Sequence, residues 1–120
     1  MKVVIVDYGM GNIYSVQSAL SYINVKSEYT NNAYSILSAG KIIMPGVGSF
    51  RKAMQNMKSL ELDKILQEAV LERNIPILGI CLGMQLLGKR STEDGFTEGL
   101  GLLNGIVSKL IFSYSAIQLP

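Results

Sequence analysis

Histidine and tryptophan are absent from these 120 residues, and cysteine occurs once. The lack of histidine excludes the commonest zinc-site patterns and every Cys-His or Ser-His catalytic pair built within the chain. A single cysteine closes no internal disulfide, so covalent stapling contributes nothing to folding. An excess of one charge is also missing. Eleven basic residues against nine acidic ones leave +2, and they are dispersed, which provides no electrostatic footprint for nucleic acid. No apolar run approaches the roughly 18 residues of a membrane-crossing helix, and the N-terminus enters a strand-like run without a basic leader. The expectation is a cytoplasmic protein with neither membrane nor nucleic acid as partner. What is plentiful is apolar surface: 48% of residues are hydrophobic and 17% charged, enough to fold one domain and too short a chain for two.

Strand-like and helix-like patterns alternate along the chain. Val3-Val4-Ile5-Val6 reads as a strand buried on both faces, and Ile13, Val16, Leu20 and Ile23 recur at helical spacing behind a turn at Asp7–Asn12. Val25 to Tyr29 reads as a second, weaker strand, followed by a short helix at Ala33 to Leu37. Lys41 to Met44 gives a third strand, cut off by Pro45, and Phe50 to Met57 a helical stretch. Leu62, Ile65, Leu66, Ala69 and Val70 mark one face of an amphipathic helix that Asn74 ends. Ile75 to Ile80 then predicts a strand, Leu82 to Lys89 a helix, Ser91 to Gly95 a polar loop and Val107 to Phe112 another strand. The pattern predicts an α/β fold: a doubly wound, mostly parallel sheet with ligand sites at the carboxyl ends of its strands.

Two of those ends carry chemistry. Gly79-Ile80-Cys81-Leu82-Gly83 has the G-x-nucleophile-x-G spacing of a nucleophile elbow, where small flanking residues allow a sharp turn between strand and helix. A thiol there meets a helix N-terminus and backbone N–H groups that favour thiolate and offer oxyanion donors. The plainer reading makes Cys81 a small buried hydrophobe. Pro45-Gly46-Val47-Gly48 allows close backbone approach to a ligand, although such a loop is usually only a turn.

These residues resemble the class I, or triad, glutamine amidotransferases. Gly79 to Gln85 looks like the nucleophile motif of that family, and Pro45 to Phe50 like its oxyanion loop. Asp7-Tyr8-Gly9-Met10-Gly11-Asn12-Ile13 and Gly99-Leu100-Gly101-Leu102-Leu103 are similar to the branch that serves as glutaminase subunits of imidazole glycerol phosphate synthase in histidine biosynthesis. The resemblance implies a flavodoxin-like amidotransferase fold, with the chain as the N-terminal part of one domain and residues 111–120 as an atypical tail. It implies that Cys81 attacks glutamine and that the N–H of Val47 or Gly48, in the loop that begins at Gly46, and the N–H of Leu82, next to the nucleophile, hold the oxyanion. By the same resemblance, Gln85 helps hold substrate, and Gly9, Met10, Gly11 and Asn12 lie toward a barrel-shaped cyclase subunit in a heterodimer. No cofactor and no metal are implied. On the residues alone, the plainer readings are favoured: Gln85 as a solvated helix residue and Asn12 as a helix cap.

The departures matter as much. The family supplies a histidine and a glutamate from its C-terminal part; this chain has no histidine, and Glu93, Asp94 and Glu98 lie in the wrong region to substitute. The fold is therefore expected to be incomplete at its C-terminus, the chain to lack activity alone, and its edges to self-associate unless covered. Competing readings are an ammonia-supplying paralogue for a sugar-modifying enzyme of surface polysaccharide synthesis, a non-catalytic pseudo-subunit, and a redox-sensing cysteine protein.

Overall fold

The computed structural model describes residues 1–110. The run expected to be buried on both faces becomes the central strand β1 (Val3–Val6), every residue of which is buried. It is flanked on one side by β2 (Ser27–Thr30) and on the other by β3 (Lys41–Met44), beyond which lies β4 (Ile77–Gly79). All three pairings are parallel, in the order β2-β1-β3-β4, with Val4 opposite Ile42 and Ile43 opposite Leu78. This is the strand order of a flavodoxin-like doubly wound sheet, whose switch point lies between β1 and β3. The expected α/β class and mostly parallel sheet are observed.

Helices connect the strands. Helix α1 (Ile13–Tyr22) starts at Asn12, whose side-chain oxygen accepts from Ser15 N–H at 3.3 Å; α2 (Ala33–Leu37) starts in the same way at Asn32. Ser49 caps α3 (Phe50–Ser59), whose Phe50, Ala53, Met54 and Met57 turn inward. A left-handed Glu61 separates it from α4 (Leu62–Gln67), which loosens into a π-helical turn over Glu68–Glu72. Helix α5 (Leu82–Leu86) follows β4. Even-numbered Val4, Val6, Ile42 and Met44 point into one large cluster with Tyr8, Ile36, Met57, Leu62, Leu66 and Leu86, under α2 to α5. Odd-numbered Val3, Ile5 and Ile43 form a second, small cluster under α1 alone.

Several expected boundaries shift. Val25 is not in β2: Asn24 adopts a left-handed φ of 60°, and Val25 N–H bonds back to Leu20 while its side chain packs beneath α1. The expected strand from Ile75 begins at Ile77, because Ile75 N–H is taken by the carbonyl of Ala69. The helix expected to reach Lys89 stops at Leu86, where Gly88 and Lys89 turn into a second sheet. That sheet, β5 (Arg90–Ser91), β6 (Thr97–Glu98) and β7 (Ile106–Val107) in the order β6-β5-β7, surrounds the expected polar loop of Ser91 to Gly95, whose first residue belongs to β5. Two-residue strands carry no hydrophobic period, so nothing in the pattern marks them. Of the strand expected over Val107 to Phe112, only Val107 is in a strand, as the last residue of β7; Ser108, Lys109 and Leu110 leave the ladder, and residues 111–112, with the rest of the tail to 120, lie outside the described residues. Among the described residues, no helix is long and apolar enough to cross a membrane.

Candidate active site

The loops after β1, β3 and β4 meet at the carboxyl edge of the sheet. Cys81 sits between β4 and α5 with φ 54° and ψ −121°, a left-handed conformation that a residue with a side chain adopts only under constraint. Its neighbours explain the constraint. A Cβ on Gly79 would come within 2.5 Å of Met84 Cα, and one on Gly83 would overlap the Met44 carbonyl oxygen, so the turn closes only because both positions are glycine. The thiol is exposed, unlike the average lone cysteine, and one helical turn later Gln85 is half-buried.

The Pro45–Gly48 loop is pressed against this elbow. Gly46 is buried, a Cβ there would lie 3.0 Å from Gly83 N and 3.1 Å from Leu82 Cβ, and Leu82 N–H donates to the Gly46 carbonyl at 3.2 Å. The N–H of Leu82, which the resemblance assigns to the oxyanion, is thus occupied in this conformation by a carbonyl of the other oxyanion segment. Val47 and Gly48 are exposed, and Gly48 has φ 116°. Buried Leu82 anchors the start of α5 in the large cluster.

The loop after β1 lies alongside. A Cβ on Gly11 would sit 3.4 Å from Gly46 Cα, one on Gly48 would sit 2.8 Å from Met10 Cε, and one on Gly9 would sit 3.4 Å from Asn56 Nδ2. Met10 and Gly11 therefore border the Pro45–Gly48 loop, Gly9 faces α3, and the Asn12 side chain is engaged as the cap of α1.

Sequence reasoning passed over Tyr8. Its side chain is buried, its hydroxyl donates to the Pro45 carbonyl, and its own carbonyl accepts from Asn56 Nδ2 at 3.1 Å, so one residue ties together the β1 loop, the β3 loop and α3. Burial, with a smaller contribution from Tyr29, raises its phenol pKa well above the ordinary value, keeping it a neutral donor. Tyr29 is pushed up to about 12, by partial burial and by the hydrogen bond it donates to Asp7. The available signal was an aromatic inside an otherwise small and polar turn. Glu93 and Asp94 lie on the loop between β5 and β6 and, with Gly48, Ser49, Phe50 and Lys109, line a cavity of about 450 Å³ beside the oxyanion loop.

Cys81 thus stands at positive φ between a parallel strand and a helix, faced by a glycine loop from the adjacent strand, and the chain belongs to the class I glutamine amidotransferase family, whose model matches residues 4–111. Among curated proteins it is similar to the imidazole glycerol phosphate synthase subunit HisH of Oceanobacillus iheyensis, 48% identical over 108 residues that make up 90% of this chain and 53% of that protein. It is 49% identical over 112 residues to HisH of Bacillus cereus (strain B4264), covering 93% of this chain and 53% of the relative. HisH 1 of Parasynechococcus marenigrum is 49% identical over 102 residues, covering 85% and 49%. The chain thus spans about half the length of the curated relatives it matches. Among solved structures, a glutamine amidotransferase superposes with TM-score 0.73 at 18% identity, covering 88% of this chain and 55% of that one. A putative peptidase E from Listeria monocytogenes EGD-e gives 0.69 at 12% identity, covering 86% and 63%. At those identities the structural likeness speaks for the fold.

Proposed function

We propose that this chain carries the nucleophile part of a glutaminase that feeds ammonia to the cyclase subunit of imidazole glycerol phosphate synthase, in a cytoplasmic heterodimer serving histidine biosynthesis. The observation that carries the reading is the Cys81 elbow: an exposed thiol at φ 54° whose flanking glycines admit no side chain. Cys81 Sγ attacks the side-chain amide carbon of glutamine, and the carbonyl π electrons move onto oxygen. Collapse of that oxyanion expels ammonia and leaves a glutamyl thioester, which water cleaves to glutamate and free thiol. Residues 1–120 are read as the N-terminal part of one amidotransferase domain.

The oxyanion requires donors, and at present Leu82 N–H faces the Gly46 carbonyl. Rotating the Gly46–Val47 peptide by about half a turn removes that carbonyl and brings Val47 N–H to its place, so that two donors converge beside Cys81. The flip is carried by ψ of Gly46 and φ of Val47, and Gly46, lacking a side chain, accepts the change at its end. In this reading Gln85, one turn along α5, binds the substrate, and the Gly9–Asn12 loop, on the same edge of the sheet, meets the cyclase.

The proton that leaves with ammonia and the activation of water need an acid–base group, and the chain has no histidine. Alone it is expected to turn over glutamine at least about 10³-fold more slowly than a complete relative. An electrophilic glutamine analogue should still label Cys81, detected by intact-mass spectrometry and abolished in Cys81→Ser. Failure of the analogue to react where a simple alkylating reagent does would overturn the glutaminase reading. The absence of histidine equally favours a second reading, a pseudo-subunit that binds the cyclase without catalysis, and this reading predicts capture of the cyclase without analogue labelling.

A further inference from the structure

Basic charge collects on one side of α3. Between Glu28 and Glu61 the sequence holds no acidic residue, while α3 carries Arg51, Lys52 and Lys58. Arg51, Gln55 and Lys58 fall at i, i+4 and i+7, so they stand in one row along the helix, and all three are exposed. The ion pairs among the described residues join Lys2 to Glu28 and Arg73 to Glu68, which leaves Arg51 and Lys58 with no carboxylate partner there. The row faces β6 and the turn before it. Arg51 Nε donates to Thr97 Oγ1 at 3.3 Å, and a Cβ on Gly95 would overlap Arg51 Nη2, so the guanidinium rests against backbone that glycine keeps bare. Buried Met54 and the ring of Phe96, 64% exposed, complete a cavity of about 270 Å³. Glu98, next to Thr97 on β6, lines a different cavity with Lys89 and Arg90, as strand alternation requires. Two cations and no carboxylate therefore line the α3 cavity, and it shares no residue with the cavity beside the oxyanion loop.

We propose that this cavity is a binding site for a small phosphate monoester that carries a flat ring. Arg51, Gln55 and Lys58 hold the phosphate, and the ring lies on Phe96. Two cations match the dianion that such an ester presents above its second pKa of about 6, whereas a carboxylate would leave one of them uncompensated. Thr97 occupies Nε, which orients the guanidinium and leaves both terminal nitrogens for a bidentate contact with phosphate oxygens. Side chains on a helix tilt toward its N-terminus, so Lys58 leans back over Gln55 toward Arg51, and the long stems let both charges meet one anion. The volume lies near the lower limit of small-ligand sites, which suits one phosphate and one ring system. The site is separate from the Cys81 edge and stands independently of the glutaminase reading.

The probe is phenyl phosphate, titrated into the complete 120-residue chain by calorimetry at low and at high salt, with inorganic phosphate and benzoate as comparisons. One-to-one binding is expected, at least about tenfold tighter than either comparison and weaker at high salt. Arg51→Gln and Lys58→Gln should each weaken it about tenfold or more, Phe96→Ala should reduce it to the affinity of inorganic phosphate, and the charge-retaining Lys58→Arg should keep it. All three positions are exposed, so the melting midpoints of the variants should stay close to wild type. No binding at millimolar phenyl phosphate overturns the proposal, as does binding that survives both glutamine changes. Inorganic phosphate binding as tightly as the ester removes the ring from the site, benzoate binding as tightly removes the phosphate, and either result overturns it.

Discussion

The two faces of the four-stranded sheet are built from the same strands and finished differently. Val4, Val6, Ile42 and Met44 enter a cluster sealed by four helices, whereas Val3, Ile5 and Ile43, one residue out of phase, meet α1 and a groove. β4 shows the contrast within two adjacent positions: Ile77 packs against the large cluster and Leu78 stands in the groove. The candidate site depends on the sealed face. α5 and the Pro45–Gly48 loop, which frame Cys81, are anchored through Leu82, Leu86 and Phe50, all members of the large cluster. The edge that carries Cys81 is thus packed from beneath by one face of the sheet, while on the other face, among the described residues, α1 alone packs on the strands.

The largest expected effect is at the joint between that face and the elbow. Gly83→Val drives a branched side chain into the Met44 carbonyl, and with backbone on both sides nothing flexible can yield. A loss of more than about 3 kcal/mol is expected, measured by denaturant melting, together with loss of native-state alkylation selectivity at Cys81. A folded variant with unchanged Cys81 reactivity would show that the elbow does not depend on this contact.

Next come matched truncations of the two faces. Leu66→Ala, in the sealed cluster, should cost about 2–5 kcal/mol, and Leu20→Ala, half-buried beside the groove, about 1 kcal/mol. Equal costs would erase the distinction between the faces.

A comparably small effect, and the one that depends on pH, is at Tyr8. Tyr8→Phe leaves the buried Pro45 carbonyl without its donor and should cost about 1–2 kcal/mol at neutral pH. The pH dependence has a definite sign. The folded pKa of Tyr8 is raised above the ordinary 10.0, so its contribution is fully present below about pH 10 and is lost as pH rises toward the folded value. Tyr29, held near 12, adds a smaller loss in the same window. Wild type should therefore melt more easily above pH 10, and Tyr8→Phe should show a shallower decline in urea titrations at pH 9, 10 and 11.

Much of this was legible in residue order. β1, α2 and β3 begin and end where the apolar runs and their breakers place them, because buried parallel strands and short capped helices write their limits locally. The spacing of Gly79, Cys81 and Gly83 announced the turn that the backbone makes. Boundaries failed where an apolar residue serves a neighbouring element, as Val25 does under α1 and Ile75 does at the end of the π-helical turn. Hydrogen bonds across long separations, such as Leu82 to Gly46, and the Tyr8 tether, which spans 37 positions, leave no local trace and emerge only from the fold.

The Tyr8 hydroxyl fills the space that a Cβ on Gly46 would need, with Gly83 and Leu82 close behind. Positions 8 and 46 are consequently epistatic. Whether alanine is admissible at position 46 depends on whether position 8 carries its hydroxyl, so substitution scores measured singly at these sites will not add. A search for functional variants of the oxyanion loop that holds Tyr8 fixed will undercount the sequences this backbone can accept.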